Sequence, residues 1–257
     1  MTISAVDCHY SIIGSGPPLF LTHGIGAAQD AWRFMVPELS KYFSVVTYDL
    51  RGHGKSPVTH KNFTLDELVL DLERIREKTK FEKAHFAGHS LGGMIAPAYA
   101  LKFPEHTISV GLLSTVAGRS EEDSQKVWKV IHEMEKNGIE KTLQTLTNRW
   151  FTDEFIKNNS DLVERRLKQV VDTDPEVFLN VFKIYAKTEM SPWLKNISKP
   201  CLLLTGENDS GCSPKHNEIM AQEMIKSKLV ILPNYKHSLL IEAPHAVAES
   251  LINFINE

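Results

Sequence analysis

Short apolar runs rich in Val, Ile and Leu recur along the chain, separated by stretches in which apolar residues return every three or four positions. The runs have the length of strands: "SAVDCHYSII" over 4–13, "PLFLTHG" over 18–24, "FSVVTYDL" over 43–50, "KAHFAG" over 83–88, "HTISVGLLST" over 106–115, "PCLLLTG" over 200–206 and "KLVILP" over 228–233. The stretches between them read as helices. In "NFTLDELVLDLERIREKT" the Leu, Val and Ile positions follow a helical period, and Thr64 with Glu67 forms a capping box at its start. "LGGMIAPAYALKF" reads as the next helix, with Pro97 inside it predicting a bend. Later, Ser213 and Pro214 open one helix and Pro244 opens the last. Strands alternating with helices predict an α/β fold, a mostly parallel sheet covered on both faces.

The alternation stops between 118 and 190, where no strand pattern occurs. Val127, Val130, Ile131 and Met134 mark one helical face there and "DPEVFLNVFKIYAK" another. This stretch is expected to be a helical cap, or lid, over the carboxyl edge of the sheet, since α/β sheets keep their ligand sites at that edge. The core is then 1–117 together with 191–257, and the cap 118–190.

Composition excludes several classes. The 257 residues are 42% hydrophobic and 24% charged, the balance of an ordinary globular chain. Twenty-nine basic residues against 32 acidic ones leave a net charge of -3, and no Lys/Arg run could follow a phosphate backbone. No nucleic-acid or membrane partner is expected. The start "MTISAVDCHY" has neither the basic nor the apolar segment of a secretory signal, and no apolar run approaches bilayer length, so a cytoplasmic location is expected. Cys8, Cys201 and Cys212 lack ligand spacing and read as reduced packing residues, and no histidine pair has zinc-motif spacing. Neither metal nor cofactor is called for; the expected partner is a small-molecule substrate.

The chemistry centres on "AHFAGHSLGG". Gly88, Ser90 and Gly92 satisfy G-x-S-x-G, with a predicted strand before and a predicted helix after, the context of a nucleophile elbow. A phosphate-binding turn would need a lysine or further donors, which this one lacks. A serine nucleophile needs a base and a group to orient that base. His237, in the loop after "KLVILP", can be the base, and Asp209, after "PCLLLTG", the orienting acid. The order Ser90, Asp209, His237 suits a strand-turn-helix serine site. Glu207 and Asp49 are rival acids, Asp49 being expected to organise its own glycine-rich loop. His89 and His53 are expected to be structural. The backbone N-H groups of Ile25, in "THGIGAA", and of Leu91 are candidates for the oxyanion hole.

Five segments, "HGIG", "YDLRGHGKS", "GHSLGG", "GENDSGCSP" and "KHSLLIEAPHAVAESLINFI", in this order, resemble the α/β-hydrolase superfamily across essentially the whole chain. The resemblance implies an eight-stranded, mostly parallel sheet, a helical cap inserted after the sixth strand, and Ser90, Asp209 and His237 as catalytic triad. Within the cap, "TNRWFTDEF" followed by "VDTDPEVF" is similar to the 3-oxoadipate enol-lactonase branch. That similarity points to Trp150 and Phe151 as substrate contacts and, for an anionic lactone, to Arg149 or Arg119 as partner of the free carboxylate. The expected activity is hydrolysis of a small carboxylic ester or lactone through an acyl-enzyme. Carbon-carbon bond hydrolysis, cofactor-free lyase chemistry on the same triad, and a non-catalytic small-ligand receptor remain open alternatives.

Overall fold

Residues 4–257 are described by the computed structural model, so the first three residues of the expected core segment lie outside the described residues. Seven strands form one sheet: β1 Tyr10–Ile13, β2 Pro18–Thr22, β3 Ser44–Tyr48, β4 Ala84–His89, β5 Thr107–Leu113, β6 Cys201–Gly206 and β7 Ser227–Leu232. Their spatial order is β1-β3-β2-β4-β5-β6-β7. The edge strand β1 runs antiparallel to β3, and every other pairing is parallel.

The two-residue period of the strands sorts side chains between two cores. Phe20, Val46, Phe86, Leu112 and Leu203 pack on one face with the helices Leu65–Thr79 and Gly92–Lys102. Leu19, Leu21, Val45, Ala87, Leu202 and Leu204 point the other way, against Trp32, Leu39 and the helix Pro244–Asn256. The Thr64 capping box forms as the sequence predicts. The helix holding Pro97 is continuous from Gly92 to Lys102.

The eighth strand is a correction. Of the expected strand over 4–13, only 10–13 is a strand. Val6 and Cys8 are buried, but the backbone beside them is bonded elsewhere. The Val6 N-H donates to the Asp71 carboxylate at 2.7 Å, and the His9 N-H to the Ser56 hydroxyl at 2.9 Å. Those donors are taken by side chains, and ladder pairing with β3 begins only at Tyr10, so the sheet has seven strands and the helical insertion follows its fifth.

Between β5 and β6 the helices Glu121–Asn137, Ile139–Trp150, Asp153–Asn158, Ser160–Asp172 and Pro175–Lys187 follow one another. Met134, Leu143, Leu146, Val170 and Phe178 give them a small core of their own. Among the described residues no helix is long and apolar enough to cross a membrane.

Strand order reverses between β2 and β4: the chain leaves β2 toward β3 on one side and returns to β4 on the other. Loops leaving the carboxyl ends of such a pair diverge and open a crevice. The loop after β2 carries Gly24 and Ile25, and the turn after β4 carries Ser90.

Candidate active site

Ser90 stands between the last residue of β4 and the helix Gly92–Lys102, with φ of 57°, a left-handed conformation that a non-glycine residue holds only under constraint. Its N-H donates to the Leu113 carbonyl at 2.8 Å, tying the turn to β5. The flanking glycines make so sharp a turn possible. A Cβ on Gly88 would lie 2.0 Å from the Gly92 carbonyl oxygen, and one on Gly92 would lie 2.2 Å from that of Thr22.

His237 follows β7 and Asp209 follows β6, and the turn brings the two side chains together. Nδ1 of His237 lies 2.7 Å from Oδ2 of Asp209, while Oδ1 accepts the N-H groups of Gly211 at 3.0 Å and Cys212 at 2.9 Å. Burial would raise the pKa of this carboxyl, but the His237 charge, its hydrogen bond and the two backbone donors hold it below the ordinary 3.8. Burial alone would likewise favour a neutral His237 ring. The Asp209 charge and hydrogen bond outweigh it, and the ring's pKa is raised above the ordinary 6.5. With the Nδ1 proton directed at Asp209, Nε2 is left as the basic atom.

Ser90, His237 and Asp209 all line one cavity. No hydrogen bond joins Ser90 Oγ to His237 among the described residues; such bonds are commonly long until substrate closes the site. The rival acids stand elsewhere. Glu207 is exposed and accepts the Asn234 N-H at 2.9 Å. Asp49 organises its loop, accepting the N-H groups of Gln29 at 2.7 Å and Lys55 at 2.9 Å.

Ile25 lies on the cavity wall, and Leu91 directly follows Ser90. Among the described residues neither N-H is paired with a backbone carbonyl. Two buried histidines support the Ile25 loop from the core side. His23 donates from Nδ1 to the Gly24 carbonyl at 2.8 Å and accepts the Leu50 N-H, and His53 accepts the Gly26 N-H at 3.3 Å. Burial depresses both pKa values, to about 4 and about 3, keeping these rings neutral.

The cap closes the cavity with Val127, Val130, Leu146, Trp150, Phe178 and Phe182. Of the four cap residues expected at the substrate, Arg149 and Trp150 are on the wall. The other two lie off that wall. Phe151 is fully buried and stacks on Phe155 with centroids 5.5 Å apart, off the cavity wall. Arg119 is also off the wall: its guanidinium donates to the carbonyls of Tyr185 at 2.8 Å and Thr188 at 2.6 Å, stapling the two ends of the cap together.

A family model for the alpha/beta hydrolase fold matches residues 17–244. The chain belongs to that family. Over 242 residues it is 28% identical to 3-oxoadipate enol-lactonase 1 of Acinetobacter baylyi, covering 94% of this chain and 89% of that one. It is 29% identical over 229 residues to pimeloyl-[acyl-carrier protein] methyl ester esterase of Vibrio campbellii, with 80% and 81% covered. The crystal structure of the enol-lactonase from Burkholderia xenovorans LB400 superposes with a TM-score of 0.90 at 25% identity, covering 97% of this chain and 96% of that one.

Three residues of this hydrolase-fold site escaped the sequence reading as site residues. His89 packs against His237. Cys212 places its sulfur with the side-chain donors of Asp209 and His237, all within 4.8 Å of one another, a set able to hold a metal ion. Its residues are far apart or separated by backbone turns, so no linear spacing discloses it. Arg166, on the helix Ser160–Asp172, lines the cavity. A signal for Arg166 was present: it falls three residues after Val163 and four before Val170, both buried, and so lies on the inward stripe of its helix.

Proposed function

We propose that this member of the alpha/beta hydrolase family hydrolyses a small carboxylic ester or lactone through an acyl-enzyme on Ser90. His237 Nε2 takes the hydroxyl proton as Ser90 Oγ bonds to the substrate carbonyl carbon, and Asp209 holds the ring in the required tautomer while offsetting its new charge. The Ile25 and Leu91 N-H groups hold the oxyanion. Collapse of the tetrahedral intermediate breaks the ester C-O bond, and the proton on His237 passes to the leaving oxygen. In a lactone that oxygen stays tethered to the acyl group. Water then attacks the acyl-enzyme with His237 again as base, releasing the acid and restoring Ser90.

The observation that carries this reading is the 2.7 Å Asp209–His237 pair on the same cavity as a serine held at φ of 57°. The apolar cap wall suits a small, partly apolar acyl group, and Arg149 at its edge suits a lactone or ester with a free carboxylate. The likeness to enol-lactonases supports the same class.

The test is labelling by a fluorophosphonate probe and hydrolysis of p-nitrophenyl acetate, beside a panel of simple lactones and a β-diketone. Labelling and turnover that are both lost in Ser90→Ala are expected. A Ser90→Ala protein that turns over at the native rate refutes the mechanism, and a wild-type protein that binds these compounds without labelling is a receptor.

A further inference from the structure

Arg166 reaches from the cap to the core loop that carries Ile25. Its Nη1 donates to the Gly26 carbonyl at 2.6 Å and its Nη2 to the Ile25 carbonyl at 2.8 Å, spanning some 140 positions of sequence. The guanidinium carbon stands 4.9 Å from the centroid of the Trp150 ring. Among the described residues no carboxylate pairs with Arg166. The nearby Asp30 is engaged by Arg165 at 2.9 Å and Gln169 at 2.7 Å. A half-buried arginine without an acid is unusual, and burial lowers its pKa to about 10. Its two short bonds are both to backbone carbonyls of the loop that offers the Ile25 donor.

The Ile25–Gly26 peptide is gripped at both ends. Arg166 holds its carbonyl from the cap, and His53 accepts its N-H from the core. Gly26, at φ of +58°, is covered by cap residue Phe178, whose ring would lie 2.7 Å from a Cβ added there. Fixing the plane of this peptide restricts ψ of Ile25 and, through it, the direction in which the preceding Ile25 N-H points.

We propose that Arg166 is a positioning residue for the oxyanion site, holding the Ile25 N-H in its donating direction from the cap, so that this donor is in place only while the cap is closed. The inference rests on Ile25 being an oxyanion donor in the proposed reaction. It assigns Arg166 a role that does not depend on charge in the substrate.

A neutral ester therefore tests it. In the full-length protein, Arg166→Met is expected to lower kcat for p-nitrophenyl acetate roughly ten- to a hundredfold, a part of what loss of a whole oxyanion donor costs, with KM nearly unchanged. Affinity for a trifluoromethyl ketone, whose hydrated or serine-bound form presents an oxyanion, should fall by the same factor as kcat/KM. Arg166→Lys should recover part of the loss, and millimolar methylguanidinium should recover part of it in Arg166→Ala. If Arg166→Met lowers thermal stability too far to assay, Arg166→Lys and Arg166→Gln are compared at a temperature where both are folded, with the same kcat ranking expected. The proposal is overturned if the variants leave kcat for the neutral ester unchanged, or if only KM for a carboxylate-bearing ester such as p-nitrophenyl hemisuccinate rises, which would make Arg166 a carboxylate site. Failure of the serine mechanism itself is read separately, in the wild type and Ser90→Ala, by fluorophosphonate labelling.

Discussion

His89 donates from Nε2 to the backbone carbonyl of His237 at 2.9 Å, and the two rings lie 4.9 Å apart between centroids. Burial pushes the His89 pKa down to about 3, so it stays a neutral donor as the neighbouring ring gains and loses a proton. The residue beside Ser90 thus braces the loop that carries His237. His89→Phe keeps an aromatic ring but removes the donor and leaves a buried carbonyl unpaired. Its expected cost is about 1–3 kcal/mol of stability in urea unfolding. A drop in kcat/KM of at least tenfold should accompany it, from misplacement of His237. His89→Gln, which can donate, should lose less of both.

The pH dependence of hydrolysis has a definite sign. In the proposed reaction His237 is the base only when neutral, and the Asp209 charge, against the effect of burial, raises its pKa above 6.5. Activity should therefore climb with pH through a limb centred above 6.5. Asp209→Asn should move that limb down and lower kcat by about four orders of magnitude, through loss of the working tautomer. A kcat/KM profile against pH for both proteins checks this; a wild-type limb at or below 6.5 contradicts it.

Arg149 is on the cavity wall, where in the proposed reaction it meets a free acid group of the substrate. Arg149→Gln is expected to raise KM for p-nitrophenyl hemisuccinate by about tenfold, the scale of one charge-assisted hydrogen bond. It should leave p-nitrophenyl acetate hydrolysis unaltered. Equal effects on both substrates would remove Arg149 from carboxylate recognition.

Beneath the site, Arg51 and Asp71 are both fully buried, with Nε to Oδ2 at 2.6 Å and Nη2 to Oδ1 at 2.7 Å. Asp71 also accepts the Val6 N-H. Asp71→Ala leaves the guanidinium short of its main partner and that N-H without an acceptor. A loss of about 3–5 kcal/mol in urea unfolding is expected.

Gly88→Ala places a methyl group 2.0 Å from the Gly92 carbonyl oxygen, a backbone contact that no rotamer change relieves. The helix must move away from β4, at a cost of at least about 1–3 kcal/mol. Fluorophosphonate labelling should slow markedly in whatever protein folds, because the strained turn at Ser90 relaxes with it.

The sheet and the Ser90 turn were legible because both follow from local periodicity. Alternation sends Leu19 and Leu21 to one face and Phe20 to the other, and G-x-S-x-G between strand and helix leaves few other geometries. The joining of Asp209 to His237 was legible only from chain order. What escaped depended on distant partners. The segment from Ser4 to His9 has a strand's side-chain pattern, but its backbone donors meet Asp71 and Ser56, some 65 and 47 positions away. Trp150 and Phe151 are adjacent aromatics at a helix end, and the chain's turn out of the helix sends one to the cavity and stacks the other on Phe155. Arg165 and Arg166 differ in the same way: one meets Asp30 at the surface, the other the Ile25 loop.

Strands β5 and β6 are immediate neighbours, paired in parallel from Val110 with Cys201 to Leu113 with Leu204. The helices between them leave and rejoin the sheet at adjacent strands, and no strand pairing passes through them. Exchanging this stretch for a cap of different shape would leave the strand order intact, along with the turns bearing Ser90, Asp209 and His237. Recognition can then diverge faster than chemistry along such a lineage, provided each new cap still supplies a donor where Arg166 now meets the Ile25 loop.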